Sequence, residues 1–521
     1  MDQALQMQQF RLRGFVPLYR LHLHSTSSIF AAPPKVRLLL MLACALHFTL
    51  GASLGLSVDE AHYALYAAHP DWSYFDHPPL VGWSQWPLVA LNAPTWLLRL
   101  IPELLWLSTA VLVHAVAERL ATNRNGQAGF WAVLTLSLAP LLHILGIGLL
   151  PDTLLVFWTV LILWLTLNLM DAQTVQRPGP WLAMGVALGL AGLSKYTAIL
   201  EVPAVAVCLL AAHGWRVLGN RWLWMALAVA LVLVMPVAYW NHANHWISFT
   251  YQAKHGAGGG WQATQVLQFL VLQLLVFGPL LLWGLAGAHH SAAVGARAIV
   301  LFFVVPFAVL AVLSGGGTSL PHWTAPAWVA LAPFAGIGLA RAWSGGRRWA
   351  IGLIAVAQGL LCVIALGLML TGGYPLMTNA SGQGNGTAPS NPFADLHGWA
   401  QAGAQARALA AQQGLTSVSV QNWTLASRLG WYARPLPVHV LEDRFDQFDL
   451  WAGDLPAGAS TLLVDWSQLG YTVPLGEHGF AECKLLESQD VLRLGRVNSS
   501  FRFYACHGWS GLPQPRLAGA P

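Results

Sequence analysis

Residues 37–80 read RLLLMLACALHFTLGASLGL followed by SVDEAHYALYAAHPDWSYFDHPPL. The first part, 37–56, carries no acid and is long enough to cross a bilayer core as a helix. The second part, Ser57–Leu80, changes character at once. It holds Asp59, Glu60, Asp71 and Asp76, three histidines (His62, His69, His77) and the aromatics Tyr63, Tyr66, Trp72 and Tyr74. Only 9% of the chain is charged, so acids gathered beside an apolar run require water, a partner or a ligand. An ordinary solvated loop would need neither so many large aromatics nor the Pro78–Pro79 pair.

Working outward, 56% of the residues are hydrophobic, and comparable apolar runs recur along the chain. They fall at roughly 97–119, 128–148, 152–170, 181–194, 197–213, 222–241, 263–287, 296–314, 323–341 and 349–371. With the first run, the expectation is an all-α polytopic membrane domain of about eleven transmembrane helices. The net charge of +5 is not a nucleic-acid signal, because the basic residues sit mostly in short connections. Five cysteines are too few for a disulfide scaffold.

Charge asymmetry orients the set. Residues 1–36 are basic, and Arg119, Arg177, Arg216, Arg221, Arg341, Arg347 and Arg348 fall on the same side of the predicted bundle. The opposite side of the membrane region has only Arg99, Lys195 and Lys254, which places it outside the cytoplasm. The reading is a cytoplasmic segment 1–36, a transmembrane domain 37–371 with a first external loop 57–96, a turn-rich linker 372–394, and a small α/β domain 395–521. In that last part a predicted helix over 395–413 precedes short apolar runs such as SVSV, TLLVDW and RFYAC. Cys483 and Cys506 lie on two late predicted strands, as a candidate disulfide or as two thiols.

This topology puts Asp59, Glu60, Asp76, Asp152, Lys195, the 242–262 connection and His322 on one face, although they come from separate connections. A transporter would more often carry such residues near the midplane, on broken helices related by an internal repeat, and no repeat is visible. A site at the membrane surface suits an enzyme acting on lipid headgroups; a transporter or flippase for a lipid-linked sugar is the alternative.

The motifs DEAHYALYAAHPDWSYFDHPPL, LPDTLLVFW, GLSKYTAIL, WNHANHWISFTYQAKHG and LPHWTAP, in this order, resemble bacterial protein O-mannosyltransferase-like and aminoarabinose-transferase-like glycosyltransferases. The resemblance implies the GT-C fold. It also implies transfer of a hexosyl or pentosyl group from a polyprenyl-phosphate carrier to an envelope lipid, glycan or protein at the outer face of a bacterial inner membrane. On that footing Asp59 is the catalytic general base, Glu60 tunes it and Asp152 is a second carboxylate of the same cavity. The carrier phosphate would be held by Lys195 and Tyr196, with Arg99 and His322 as further candidates. Asp59 and Asp152 also read as residues of helix starts. Lys195 could simply snorkel to the interface, and Arg99 could pair with Glu103 four residues on. Tyr63, Tyr74, Asp76, His77, His245, Gln252 and His255 form an aromatic and amide set suited to sugar rings, whose apolar faces stack while their hydroxyls bond. No cofactor is required by any motif. A divalent cation is left open, because histidines and acids cluster without a ligand signature such as HExxH.

Overall fold

In the computed structural model, the described residues are 33–123, 125–290, 298–317, 319–376, 391–469 and 471–516. Most of the predicted N-terminal segment and of the 372–394 linker therefore lies outside them. The first helix, α1 (Pro34–Ser53), starts on a proline whose missing N–H costs nothing in the first turn. It is followed by α2 (Val58–Ala68) and α3 (Leu80–Ala90), then by a 3-10 turn, Thr95–Arg99, leading into α4 (Leu100–Leu120).

Next come α5 (Gln127–Ser137) and α6 (Pro140–Ile147), bent by 78° where Pro140 cannot continue the preceding helix. Helices α7 (Pro151–Leu169) and α8 (Pro178–Ser194) follow, and a 3-10 turn Tyr196–Glu201 opens α9 (Val202–His213). The chain continues through α10 (Arg221–Ala243), α11 (Ile247–Ala257) and α12 (Ala263–Phe277). A 102° bend at Gly278, whose φ of 84° suits glycine, leads to α13 (Trp283–His289). Helices α14 (Leu301–Leu313), α15 (Ala325–Ser344) and α16 (Arg348–Thr371) complete the bundle.

Among the described residues, eight helical segments are long and apolar enough to cross a membrane, and up to ten if each bent pair is one span. The protein is an integral membrane protein. The expected count of eleven is not reached; α8, of 17 residues, is not among these segments. The segment Pro321–Ser344 forms the centre of the bundle, with 89% of its membrane window buried. Small residues let its neighbours approach. A Cβ on Gly336 would lie 2.1 Å from the Ala128 carbonyl oxygen, and one on Gly338 would lie 2.5 Å from that of Trp283.

Beyond residue 391 the chain forms a small sheet with helices against it. Helix α17 (Trp399–Gln413), β1 (Val418–Val420), α18 (Trp423–Tyr432), β2 (Val438–Val440), the short α19 (Gln447–Trp451), β3 (Thr461–Trp466), β4 (Phe480–Arg493) and β5 (Arg496–Trp509) follow in order. The sheet order is β2-β1-β3-β5-β4. Strand β1 runs parallel to β2 and β3, whereas β3–β5 and β4–β5 are antiparallel. Cys483 and Cys506 are directly paired across β4 and β5, and their sulfurs are bonded. Helix α18 packs on α2, with Leu65 of α2 in one core with Leu425 and Leu429. The sheet region therefore sits directly over the acidic stretch.

Candidate active site

Helix α2 begins with a capping box: the Ser57 hydroxyl accepts from the Glu60 N–H, and the Glu60 carboxylate accepts from the Ser57 N–H. The cap is thus Ser57, and Asp59 is released from that role. Glu60 is held further by Arg99, whose Nε donates to Oε1 at 2.8 Å and Nη2 to Oε2 at 2.9 Å. The remaining guanidinium N–H groups go to the carbonyls of Gly51, Leu54 and Gly55. A guanidinium has five donors, and all five are engaged. Arg99 therefore has no N–H left for a phosphate. Nor does it pair with Glu103, which accepts instead from His47 Nδ1 at 2.7 Å. Arg99 acts as a clasp joining the end of α1 to the start of α2.

Asp59 is different. No hydrogen bond or ion pair to its carboxylate is formed by the described residues, and it stays partly accessible. Burial pushes its pKa above the usual carboxylate value, opposed by the nearby His322, His62 and His77, while Asp76 adds to the rise. A carboxylate with no partner, a raised proton affinity and imidazoles around it is equipped to take a proton.

Two groups of polar side chains border it. In the first, Lys195 Nζ donates to both carboxylate oxygens of Asp152 at 2.7 Å. Both residues are buried, at 6% and 1% exposure. His322 Nε2 lies 3.7 Å from Asp152 Oδ2, and the Lys195 ammonium sits 5.4 Å from the Trp323 ring centre. Asp152 is the second residue of α7, after Pro151, and Leu150 is the flanking cap position, so Asp152 is not itself the cap.

In the second group, Asp76 accepts from His77 Nδ1 at 2.9 Å and from the Tyr66 hydroxyl, with His62 Nε2 at 3.7 Å. Burial alone would raise Asp76, but His77 and His62 hold it well below the ordinary carboxylate range. The same set of histidines thus holds Asp76 low, while burial dominates at Asp59 and raises its proton affinity. Tyr66 and Tyr74 stack at 3.6 Å, and the Tyr74 hydroxyl donates to the Tyr66 carbonyl at 2.7 Å.

Helix α11 closes one side. Gln252 donates to the Asp76 carbonyl, Ser248 donates to the Tyr74 carbonyl at 2.8 Å, and Tyr251 stacks on His255, which lies 5.6 Å from Trp323. Tyr196 is 3.5 Å from the Ser73 hydroxyl. Tyr63 lies edge-on to His77 at 5.5 Å. Of the sequence-derived set, His245 is not brought in. It is exposed in the turn before α11, at φ 54°, with no hydrogen bond or ring contact among the described residues. The helix starts at Ile247, so His245 and Phe249 do not share a helical face as expected.

The sheet region, where the sequence offers Gln421, Arg428, Asp446 and Trp451 to cover the cavity or bind acceptor, supplies the other wall. His62 Nδ1 bonds the Ser427 hydroxyl at 3.1 Å, the Leu56 N–H donates to the Tyr432 hydroxyl at 2.9 Å, and the Phe75 N–H donates to Gln447. Arg428 is buried between the Trp399 and Trp466 rings, pairs with Asp395, and is near enough to Asp59 to interact with it electrostatically. As for a divalent cation, no three His, Cys, Asp or Glu side chains among the described residues are placed to hold one. His62 is shared between Ser427 and Asp76, and His77 turns Nδ1 to Asp76. The residues present do not fit a metal centre.

Residues 76–240 match the family model for dolichyl-phosphate-mannose-protein mannosyltransferases. The chain is 25% identical over 390 residues to the lipid A galacturonosyltransferase RgtD of Rhizobium johnstonii, covering 72% of this chain and 77% of that one. The lipopolysaccharide core galacturonosyltransferase RgtA of the same organism is 25% identical over 190 residues, 36% of this chain and 38% of that one. Among solved structures, ArnT from Cupriavidus metallidurans bound to undecaprenyl phosphate superposes with a TM-score of 0.62 at 18% identity, over 92% of this chain and 99% of that one.

The fold is GT-C.

In sequence the chain resembles dolichyl-phosphate-mannose-protein mannosyltransferases over 76–240, and the two Rhizobium relatives are galacturonosyltransferases of lipid A and of the lipopolysaccharide core. The part of the site contributed by 76–240 lies within the family match, including Asp76, His77, Asp152, Lys195 and Tyr196; Asp59 precedes it.

Proposed function

We propose that this protein is a membrane glycosyltransferase. It moves a sugar from a polyprenyl-phosphate carrier to a hydroxyl of an envelope acceptor, with its site on the periplasmic face of a bacterial inner membrane. The observation that carries this reading is that the unpartnered Asp59 carboxylate and the buried Lys195–Asp152 pair both face His322. Asp59 takes the proton from the acceptor hydroxyl as its oxygen attacks the anomeric carbon. The bond from that carbon to the phosphate oxygen breaks, and the electron pair leaves with the phosphate. Attack from the face opposite the leaving group inverts the anomeric centre.

Two of the three Lys195 N–H donors go to Asp152, which leaves one for a phosphate oxygen. His322, at the entrance of α15, stands on the same carboxylate and can donate a second bond to that phosphate. Asp152 keeps the ammonium aimed while the carrier is absent. Tyr63, Tyr74, Gln252 and His255 supply the ring faces and amide for the sugar.

The test uses protein in lipid nanodiscs, supplied with polyprenyl-phosphate-linked sugars and extracted envelope lipids, with release of free polyprenyl phosphate as readout. Asp59→Asn should lower transfer ~10²–10⁴-fold, the range of a lost general base, with carrier binding unchanged. Full activity of that variant would remove Asp59 as the base. Membrane-impermeant labelling of a cysteine introduced at the exposed Trp72 checks the orientation.

A further inference from the structure

Strands β4 and β5 form a hairpin of 14 residues on each side, long enough to reach ~45 Å. Its distal end, at Phe480 and Trp509, is packed into a small core with Leu441 and Leu463. Its tip, Arg493-Leu494-Gly495-Arg496, is built differently. Leu492, Leu494 and Val497 are 58%, 66% and 39% exposed, and Arg493 and Arg496 flank the turn.

Leu494 occupies a left-handed position at φ 48°. A two-residue hairpin turn of this kind favours asparagine or aspartate before glycine, and a leucine pays a conformational penalty there. A strained, solvent-exposed leucine adds nothing to the fold of the hairpin.

The tip is also pinned in one place. Asn498 donates to the Gly372 carbonyl at 2.7 Å, and Gly372 is the residue that ends α16. The Arg496 guanidinium lies 4.5 Å over the Tyr374 ring, just past the same span. Arg493 contacts His397, whose other ring nitrogen bonds the Met369 carbonyl at 2.9 Å, inside α16. On the other side, Leu492 and Arg493 line a cavity of about 480 Å³ together with Gly51–Leu54 of α1 and the exposed Trp96. The hairpin tip is therefore held at the level where two candidate spans leave the membrane.

We infer that the β4–β5 tip is an interfacial anchor, with Leu492 and Leu494 set among the lipids of the outer leaflet and the exposed Arg496 on their anionic headgroups. Apolar side chains beside an arginine at headgroup depth match such a surface in both hydrophobicity and charge.

The test places an environment-sensitive fluorophore on Leu494→Cys in nanodiscs of phosphatidylglycerol and phosphatidylcholine, with unlabelled-site background taken from the parent chain. Glu477→Cys, in the turn at the far end of the hairpin, serves as the aqueous reference. At residue 494, quenching by headgroup-borne nitroxide lipids should exceed quenching by aqueous iodide several-fold. The reverse should hold at 477. Replacing phosphatidylglycerol by phosphatidylcholine, or introducing Arg496→Gln, should reduce the lipid quenching at 494 by about half. Equal iodide access at both positions would overturn the inference. So would protection from both quenchers that deepens with protein concentration, since the occupant would then be a second copy of the chain.

Discussion

The buried Lys195–Asp152 pair permits a perturbation that separates folding from chemistry. At 2.7 Å and an effective dielectric near 20, the attraction is about 6 kcal/mol before desolvation is counted. Lys195→Met leaves a carboxylate that is 1% exposed with only His322 at 3.7 Å, and Asp152→Asn leaves a buried ammonium over Trp323. Each single substitution should therefore destabilise the protein by ~3–5 kcal/mol, the cost of an uncompensated buried charge. The double variant Lys195→Met/Asp152→Asn removes both charges and should recover most of that loss. Thermal inactivation in detergent, followed by size-exclusion of the surviving fraction, reads the stability of all four proteins. Transfer activity and carrier binding are measured on the same samples at a temperature where each is folded. The expectation is recovery of stability without recovery of carrier binding. A double variant as stable as the parent and fully active would refute the assignment of Lys195 to the carrier phosphate and leave the pair a structural strut.

Three further outcomes follow from the geometry. Because burial raises Asp59, the acid limb of kcat/KM should lie above the ordinary carboxylate range: activity falls as pH drops through the folded pKa, since the protonated acid cannot accept a proton. A profile flat down to the usual aspartate value would contradict it. Glu60→Gln should cost ~3–5 kcal/mol by leaving Arg99 charged and buried, and Arg99→Met introduced with it should restore much of the stability in the same inactivation assay. Cys483→Ser/Cys506→Ser opens a loop of sequence separation 23, for which chain entropy gives a loss of at most ~3.5 kcal/mol. Since the two strands are already paired, melting of the sheet region should move while transfer at low temperature is retained.

Much of this architecture can be read from the chain without coordinates, because lipid imposes a length on apolar runs and leaves acids few places to go. The run 37–56, the acidic stretch after it and the late strands are visible for that reason. Pairings between distant residues are not. Nothing in the spacing links Asp152 to Lys195, or His47 to Glu103 and His143, whose hydrogen-bonded chain crosses three helices. Arg99 misleads because it lies in a 3-10 turn just before α4, so the i, i+4 geometry with Glu103 does not apply. His245 misleads because the helix begins two residues later. Helix α18 is hidden because WTLASRLGWY is only ten residues long and lies between short apolar runs that read as strands, yet it contributes Ser427 and Arg428 to the site wall.

The Arg99 clasp ties the last carbonyls of the first span to Glu60, one residue from Asp59. Any tilt that α1 adopts to match a thinner or thicker bilayer is thereby passed to the carboxylate through a rigid joint only a few bonds long. Turnover should then depend on acyl-chain length even with lipid charge and substrate held constant, which makes membrane thickness a control input to the reaction.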